Sequence, residues 1–274
     1  MAVTMANITH LRKMSGAGMM DCKNALEEAG SDFEKAMEII RKKGQAVAAK
    51  RSDREASEGC VLAAENGDFA AITAVKCETD FVAKNTDFIA MTQDILNTAM
   101  SSKPATKEEL LQIKLGSGRT IEETITDRIG VTGEKMELGY YEFVKGAATI
   151  SYIHQGNKLA TIVAFNKPLE RQVARDVAMQ VAAMNPVAIT PADVPQKVID
   201  TEKEIARDKA RQAGKPENLL DRIAEGALQK FYKESTLLQQ EFVKDATINI
   251  EQYLKTRDKE LTVTTFKRIT LNVD

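Results

Sequence analysis

The dipeptide Asn66-Gly67 constrains the fold of this chain most, because it separates two stretches of mainly apolar residues. Asn-Gly favours the positive φ angles of the tight turns that join antiparallel strands. The flanking residues 59–65 and 71–77 alternate in the manner of strands and predict a β-hairpin. A second turn, Gly156-Asn157, leads into the apolar residues 159–165 and repeats the pattern. Antiparallel sheets are therefore expected in the middle of the chain.

Helical periodicity follows each predicted strand. Phe88, Met91, Ile95 and Ala99 recur near the helical repeat after Asn85, a residue suited to cap a helix. The second strand leads in the same way into a segment with apolar residues at helical spacing: Leu169, Val173, Val177 and Met184. This recurrence predicts an α+β core made of two subdomains, residues 55–144 and residues 145–274.

The N-terminal region predicts a small three-helix bundle. Residues 4–44 contain three short amphipathic segments whose apolar faces are able to share one core. The third segment has Ser31 and Glu34 at capping-box spacing and is expected to end at Gly44. The following residues are first small and then charged, which is typical of a linker or helical tether. We therefore assign residues 1–54 to a first domain with its linker.

The C-terminal half contains a predicted helical hairpin. Residues 194–230 are charged and helical, with one interruption at Gly214-Lys215-Pro216. An antiparallel pair of helices over residues 193–231, inserted in the second subdomain and projecting from it, fits this pattern. Residues 261–271 alternate and predict a closing strand.

Composition narrows the class of protein. The chain has 274 residues, of which 43% are hydrophobic, and it carries a formal net charge of -2. No basic run interleaved with aromatic residues is present, which argues against direct nucleic-acid binding. Three cysteines without C-x-x-C spacing argue against a disulfide framework and a zinc site. No leader or membrane-spanning segment is apparent, so we expect a cytoplasmic protein without membrane contact.

Catalytic chemistry has few candidates in this sequence. His10 and His154 are the two imidazoles, and no nucleophile motif accompanies either of them. The glycine-rich stretches at residues 16–18 and 116–118 lack the spacing of a phosphate-binding loop. We therefore expect a protein that is not an enzyme and that has no catalytic residues, no cofactor and no resident metal.

Residues 79–85, Thr-Asp-Phe-Val-Ala-Lys-Asn, connect a predicted strand to a predicted helix and place an aromatic side chain in the connection. Surface connections on a rigid scaffold often carry function, so Phe81 is a candidate anchor for a partner protein. The same ring could instead fold back onto its own helix. Met19 and Met20 follow two glycines and suit either a binding surface or a core.

Two long motifs stand out, one over residues 11–13 and 15–26 and the other over residues 77–85, and shorter ones follow at residues 214–216, 231–234 and 242–245. Together these motifs resemble the bacterial elongation factor Ts family, the nucleotide exchange factors of elongation factor Tu. The first two are similar to the two signatures of the family, and the shorter ones extend the likeness. It implies an α+β protein with an N-terminal ubiquitin-associated-like (UBA-like) three-helix bundle, a two-subdomain core with antiparallel sheets, and an inserted antiparallel coiled-coil hairpin.

The resemblance also implies roles for particular residues. In the family an Asp-Phe pair enters the G domain of elongation factor Tu near its nucleotide and Mg²⁺, which points to Asp80 and Phe81 with their neighbours Thr79 and Val82. The first signature touches the same domain and shifts Met19 and Met20 towards the binding interpretation. His154 resembles a family histidine near the partner's other domains. Gly133 is a further candidate contact, in a segment, residues 132–136, that departs from the Ile-Gly-Glu-Asn pattern of the family.

The resemblance thus implies a guanine nucleotide exchange factor of translation elongation. Its partner would be elongation factor Tu, both GDP-bound and nucleotide-free, and a 2:2 assembly is compatible with it. Two other classes remain open. One is a UBA-type adaptor that binds proteins through the N-terminal bundle, and the other is a small-molecule enzyme using a cleft in the core. Neither accounts for residues 79–85.

Overall fold

The computed structural model describes residues 3–272 and has an α+β architecture with antiparallel sheets. The first three helices are α1 (Met5–Ser15), α2 (Met19–Glu28) and α3 (Phe33–Arg51). They surround one small core that consists of Ile8, Leu11, Ala17, Cys22, Ala25, Leu26 and Ala36. The three-helix bundle predicted from residues 4–44 is therefore present.

Helix α3 begins and ends elsewhere than the sequence predicts. The side chain of Asp32, rather than Ser31, accepts the capping hydrogen bonds from the N–H groups of Glu34 and Lys35, at 3.0 and 3.1 Å. The helix also continues through Gly44 to Arg51, so the first part of the expected tether is helical. Gly44 lies inside the helix, where its small size permits close packing against Gly130 of a later helix.

The first half of the core is a three-stranded sheet with helices on one face. Its strands, in the order β1-β2-β3, are β1 (Glu58–Asn66), β2 (Phe69–Cys77) and β3 (Met136–Lys145). Between β2 and β3 the chain forms α4 (Asp80–Ala83), α5 (Thr86–Ser102), α6 (Lys107–Gln112) and α7 (Ile121–Thr132). The Asn66-Gly67 turn pairs Asn66 with Phe69, which confirms the predicted hairpin.

The second half follows the same path along the chain. Strands β4 (Ala148–Ile153) and β5 (Leu159–Phe165) form a hairpin, and the last strand, β8 (Val263–Thr270), pairs antiparallel with β5. The chain between β5 and β8 forms α8 (Arg171–Met184), α9 (Gln196–Gln212) and α10 (Leu220–Ser235). A small sheet of β6 (Glu241–Phe242) with β7 (Asp245–Asn249) and the short helix α11 (Ile250–Lys255) follow.

The two large sheets pack face to face through small apolar side chains. Alternation along each strand sends one set of residues to this interface, namely Val61, Ala63, Ala70, Ile72, Ala74, Val144, Ala160, Ile162 and Ala164. The opposite face of the first sheet packs on α5, and that of the second sheet packs on α8. Strands buried on both faces explain why β5 has seven consecutive buried residues. The core therefore has four layers, in the order helix, sheet, sheet, helix.

Helices α9 and α10 form the antiparallel hairpin that the break at residues 214–216 predicts. Lys203 pairs with Glu225 at 2.9 Å and Arg207 pairs with Asp221 at 2.9 Å. The later residue of α9 thus contacts the earlier residue of α10, as expected for antiparallel helices. The buried residues of the two helices are Ala210 on α9 and Leu220, Ala224 and Leu228 on α10.

Candidate functional site

The candidate site is the corner at residues 79–85, where two capped helices follow one another. Strand β2 ends at Cys77, and Thr79 caps α4 by accepting a hydrogen bond from the N–H of Val82 at 3.4 Å. Asn85 then caps α5 and accepts hydrogen bonds from the N–H groups of Asp87 and Phe88 at 2.9 and 3.3 Å. Side-chain caps at both helix starts define the backbone of this connection.

Phe81 projects from the corner into solvent. Its side chain is 84% exposed, the highest value among the large hydrophobic residues that the structure describes as exposed. Ala83 is buried and Val82 is partly buried, and both pack on the core of the first sheet. The short helix α4 is therefore anchored through these two residues, and the ring does not fold back onto its own helix.

Asp80 carries a negative charge beside the ring. Its carboxylate accepts a hydrogen bond from the Lys84 ammonium at 2.6 Å, and this bond is the main reason that its pKa is lowered. The charge of Lys158 contributes to the same lowering of the pKa. Since Thr79 supplies the cap of α4, the Asp80 carboxylate is not needed for that purpose. Both partners of the Asp80–Lys84 pair are solvent-exposed, so another charged group could compete for either one.

The corner is attached to the turn between α7 and β3 by side-chain carboxylates. Glu134 accepts hydrogen bonds from the hydroxyl of Thr79 at 2.6 Å and from its backbone N–H at 3.1 Å. In return, Glu78 accepts a hydrogen bond from the backbone N–H of Lys135 at 2.7 Å and pairs with Arg54 at 3.0 Å. Sequence reasoning missed Glu134, because no spacing rule connects residues that lie 55 positions apart.

Met19 and Met20 are the first residues of α2, and they are 41% and 64% exposed. The bundle core is formed without them, so they do not act as core fillers. The preceding loop packs on α7, where Gly16 faces Val131. The guanidinium of Arg128, on the same helix, donates a hydrogen bond to Asn85 at 3.4 Å. Helix α7 thus contacts both segments that carry the candidate residues.

Gly133 ends α7 in the left-handed conformation, with φ of 73°, and its N–H donates a hydrogen bond to the carbonyl of Ile129 at 2.8 Å. This backbone conformation favours glycine whether or not the residue contacts a partner. Apart from the neighbouring backbone, no atom of residues 3–272 lies within 4 Å of where a Cβ would stand, so a side chain would meet open space.

His154 is exposed at the end of the β4–β5 hairpin, with its Nδ1 3.0 Å from the hydroxyl of Tyr152. The same hairpin carries Lys158, which pairs with Glu58 at the start of β1 at 2.7 Å. Since Glu58 pairs with Cys77 at the end of β2, the hairpin and the corner lie at the same end of the core.

Within residues 3–272 no group of three or more His, Cys, Asp or Glu side chains is placed to hold a metal ion. Burial raises the pKa of Cys60 to about 11 and that of Cys77 to about 12, which disfavours the thiolate form that binds metals. An apolar groove of about 430 Å³ lies on the helical hairpin, far along the chain from the corner. The corner itself is a projection and suits insertion into a partner.

No helix in the described part of the chain combines the length and hydrophobicity that crossing a bilayer would require.

Comparison with known proteins gives one consistent result. Residues 78–272, more than half of the chain, match the family model described as Elongation factor TS. The sequence is 72% identical over 274 residues to elongation factor Ts of Porphyromonas gingivalis, with all of both chains covered. It is 55% identical over 275 residues to elongation factor Ts of Azobacteroides pseudotrichonymphae and 48% identical over 331 residues to that of Phocaeicola vulgatus, again with full coverage of both chains.

Proposed function

The chain belongs to the elongation factor Ts family, and on that basis we propose that it is the guanine nucleotide exchange factor of elongation factor Tu. In this role it binds the GDP-bound partner and promotes GDP release during translation elongation. The observation that carries the proposal is the exposed ring of Phe81 on a corner capped by Thr79 and Asn85. A projecting, rigidly held aromatic side chain is suited to enter another protein.

Phe81 acts on the nucleotide through the magnesium site of the partner. Mg²⁺ demands near-octahedral coordination and bridges phosphate oxygens to the G protein, so small backbone displacements spoil its binding. Burial of the Phe81 ring between elements of the G domain stabilises a conformation in which these contacts are lost. By linkage, bound nucleotide weakens binding of the factor by the same free energy that the factor removes from nucleotide binding.

The neighbouring residues support the insertion of the ring. Asp80 brings a negative charge to the phosphate and magnesium region, and its exposed pair with Lys84 leaves it able to meet a new partner. Thr79 caps the short helix, and Val82 holds it to the core while remaining partly exposed at the contact surface. These four residues form the part of the interface that disturbs nucleotide binding.

Other residues contribute affinity at separate places. Met19 and Met20 contact the G domain through flexible, exposed thioether side chains, which adapt well to a partner surface. His154, exposed on the β4–β5 hairpin, contacts the other domains of the partner, and Gly133 adds a weaker contact where the backbone is open.

The proposed organisation follows these roles. Residues 1–54 form a UBA-like domain with its linker, residues 55–144 and 145–274 form the two core subdomains, and residues 193–231 form a coiled-coil hairpin within the second subdomain. The protein acts in the cytoplasm without catalytic chemistry of its own, binds elongation factor Tu with or without GDP, and is compatible with a 2:2 assembly. The alternative of a UBA-type adaptor is not favoured, because the family match begins at residue 78 and lies outside the bundle.

Stopped-flow release of fluorescent GDP from elongation factor Tu at saturating factor tests the proposal. Phe81→Ala is expected to lower the stimulated rate at least about tenfold, because a central aromatic hot spot contributes about 2 to 4 kcal/mol. Met184→Ala, which removes another exposed apolar side chain from the second half of the core, is the matched control and should leave the rate unchanged. Equal rates for the wild type and Phe81→Ala would refute the insertion mechanism.

A further inference from the structure

Helix α4 is too short to hold its own position. It spans four residues, and two backbone hydrogen bonds close its turn, from Ala83 N–H to the Thr79 carbonyl at 3.1 Å and from Lys84 N–H to the Asp80 carbonyl at 3.0 Å. A single turn of helix does not form stably on its own, because nucleation costs more than these bonds return. The direction of the Phe81 side chain therefore depends on contacts from outside the helix.

The strongest such polar contact comes from Glu134. One carboxylate oxygen accepts from the Thr79 hydroxyl at 2.6 Å, and the other accepts from the Thr79 backbone N–H at 3.1 Å. The same Thr79 hydroxyl oxygen accepts from Val82 N–H, so the cap and the carboxylate are connected through one atom. Glu134 forms no ion pair within 4.0 Å among residues 3–272, which leaves its carboxylate to bind Thr79.

The turn that carries Glu134 is itself fixed on both sides. The backbone N–H of Glu134 donates a hydrogen bond to the hydroxyl of Thr132, at the end of α7, at 3.3 Å. The next residue, Lys135, donates its backbone N–H to Glu78 and its ammonium to the carbonyls of Ser52 and Arg54, both at 2.8 Å. Glu134 is thus a rigid support, connected to α7 and to the segment that follows α3.

We propose that Glu134 is the positioning residue of the corner at residues 79–85, named here the exchange corner. By holding Thr79 through two charge-assisted hydrogen bonds, Glu134 sets the orientation in which α4 presents Phe81. This inference rests on the proposed function and adds to it the residue that orients the inserted ring. A carboxylate suits the task because its two oxygens accept from an N–H and an O–H at the same time. Glutamine retains one acceptor and therefore supports the corner only in part.

The test is a double-mutant cycle on stimulated GDP release at saturating factor, using Glu134→Ala, Phe81→Ala and the double variant in the full chain. Loss of two charge-assisted hydrogen bonds should lower the saturated rate about tenfold, with Glu134→Gln between Ala and the wild type. Because Glu134 acts through the ring, the double variant should release GDP within about twofold of Phe81→Ala alone. The control is Glu142→Ala, which removes a carboxylate that lies in β3 and pairs with Lys267. This variant should release GDP at the wild-type rate.

Hydrogen exchange supplies the readout of the corner itself. In Glu134→Ala the amides of Thr79 and Val82 should exchange faster, while amides of strand β2 keep their protection. If the double variant instead loses the full product of the two single effects, Glu134 acts on the fold as a whole and the inference is wrong. Should Glu134→Ala fail to fold, Thr79→Val removes the hydroxyl bond to Glu134 together with the cap from Val82 N–H and keeps the backbone bond to Glu134. An unchanged release rate in that variant overturns the proposal.

The same measurements distinguish a failure of the proposed function or of the insertion mechanism from a failure of the positioning role of Glu134. Absence of stimulated GDP release with the wild type would refute the proposed function, and a normal rate in Phe81→Ala would refute the insertion mechanism. A slow rate in Phe81→Ala together with a normal rate in Glu134→Ala would refute the positioning role alone.

Discussion

At the scale of single residues, Phe81 is the side chain whose environment is least explained by folding. Full burial of such a ring stabilises a protein by about 1.5 to 3 kcal/mol, and the exposed ring of Phe81 does not contribute this stabilisation to its own fold. Isolated exposed apolar residues are common on protein surfaces. An exposed ring on a helix capped at Thr79, beside a carboxylate held in its charged form, is a more specific arrangement.

The three cysteines are buried, in contrast to the exposed Phe81, and their burial predicts low reactivity. Burial raises the pKa of Cys60 to about 11 and that of Cys77 to about 12, and Cys22 is also buried. Because the thiolate is the reactive form, a chromogenic disulfide reagent at pH 8 should modify none of the three in the native chain within minutes. All three should react in denaturant. Rapid modification of native Cys60 or Cys77 would show that the described packing around β1 and β2 is wrong.

At the scale of elements, the crossing of α3 and α7 determines where the N-terminal bundle lies. A Cβ added at Gly130 would stand 2.5 Å from the Cα of Gly44, which is closer than two non-bonded carbon atoms approach in proteins. The small size of both residues allows two helix backbones to touch, so the bundle packs directly on the first half of the core. Helix α7 in turn carries Arg128 and the turn with Glu134, which contact the exchange corner.

Gly130→Ala should therefore destabilise the chain by about 1 to 3 kcal/mol, because the backbones must separate to make room. The control is Gly226→Ala in α10, where no described atom beyond the neighbouring backbone lies within 4 Å of the added Cβ and where alanine favours the helix by about 0.5 to 1 kcal/mol. Chemical denaturation followed by circular dichroism measures both. If Gly130→Ala were as stable as Gly226→Ala, the close crossing would not exist in solution.

At the scale of the whole molecule, a polar network in the second half joins distant segments. Asp176 on α8 accepts hydrogen bonds from the ammonium of Lys244 at 2.7 Å and from the hydroxyl of Tyr253 at 2.8 Å. Burial alone would raise the pKa of Asp176, but the hydrogen bonds from Lys244, Tyr253 and Gln172 outweigh it, so its pKa is lowered. The charged form is thus the one that stabilises the fold.

The sign of the pH dependence follows from this lowered pKa. A carboxyl group with a lower pKa in the folded state contributes stability above its unfolded value of about 3.9, and the contribution is lost as pH falls through the folded pKa. Asp176→Asn should lower the free energy of unfolding at pH 7 by about 2 to 4 kcal/mol, and the difference from the wild type should shrink below pH 4. Urea denaturation at pH 7 and pH 3.5 measures it. A difference that stays constant with pH would contradict the role of the charge.

Local patterns predicted much of this architecture. Asn66-Gly67 and Gly156-Asn157 specify hairpins because their turn chemistry is local, and the Asn85 cap and the break at residues 214–216 depend on neighbouring residues as well. The residues of the candidate corner could be identified from sequence, and the exposure of Phe81 is the structural observation that favours an anchor.

Contacts between distant positions could not be predicted in this way. The close contact between Gly44 in α3 and Gly130 in α7 joins distant positions, and the support of Thr79 by Glu134 joins residues 55 positions apart. Nothing in the local periodicity of either segment encodes such a pairing, because the partners meet only after the sheets and helices have packed.

The central claim is that the Phe81 ring releases GDP by disturbing a bound cation, and its magnesium dependence tests this most directly. Release of fluorescent GDP from elongation factor Tu is measured at saturating wild type and saturating Phe81→Ala, first with Mg²⁺ and then with the cation removed by EDTA. We expect Phe81→Ala to be slower by about tenfold or more with Mg²⁺ and to match the wild type without it. An equal deficit under both conditions would contradict the account.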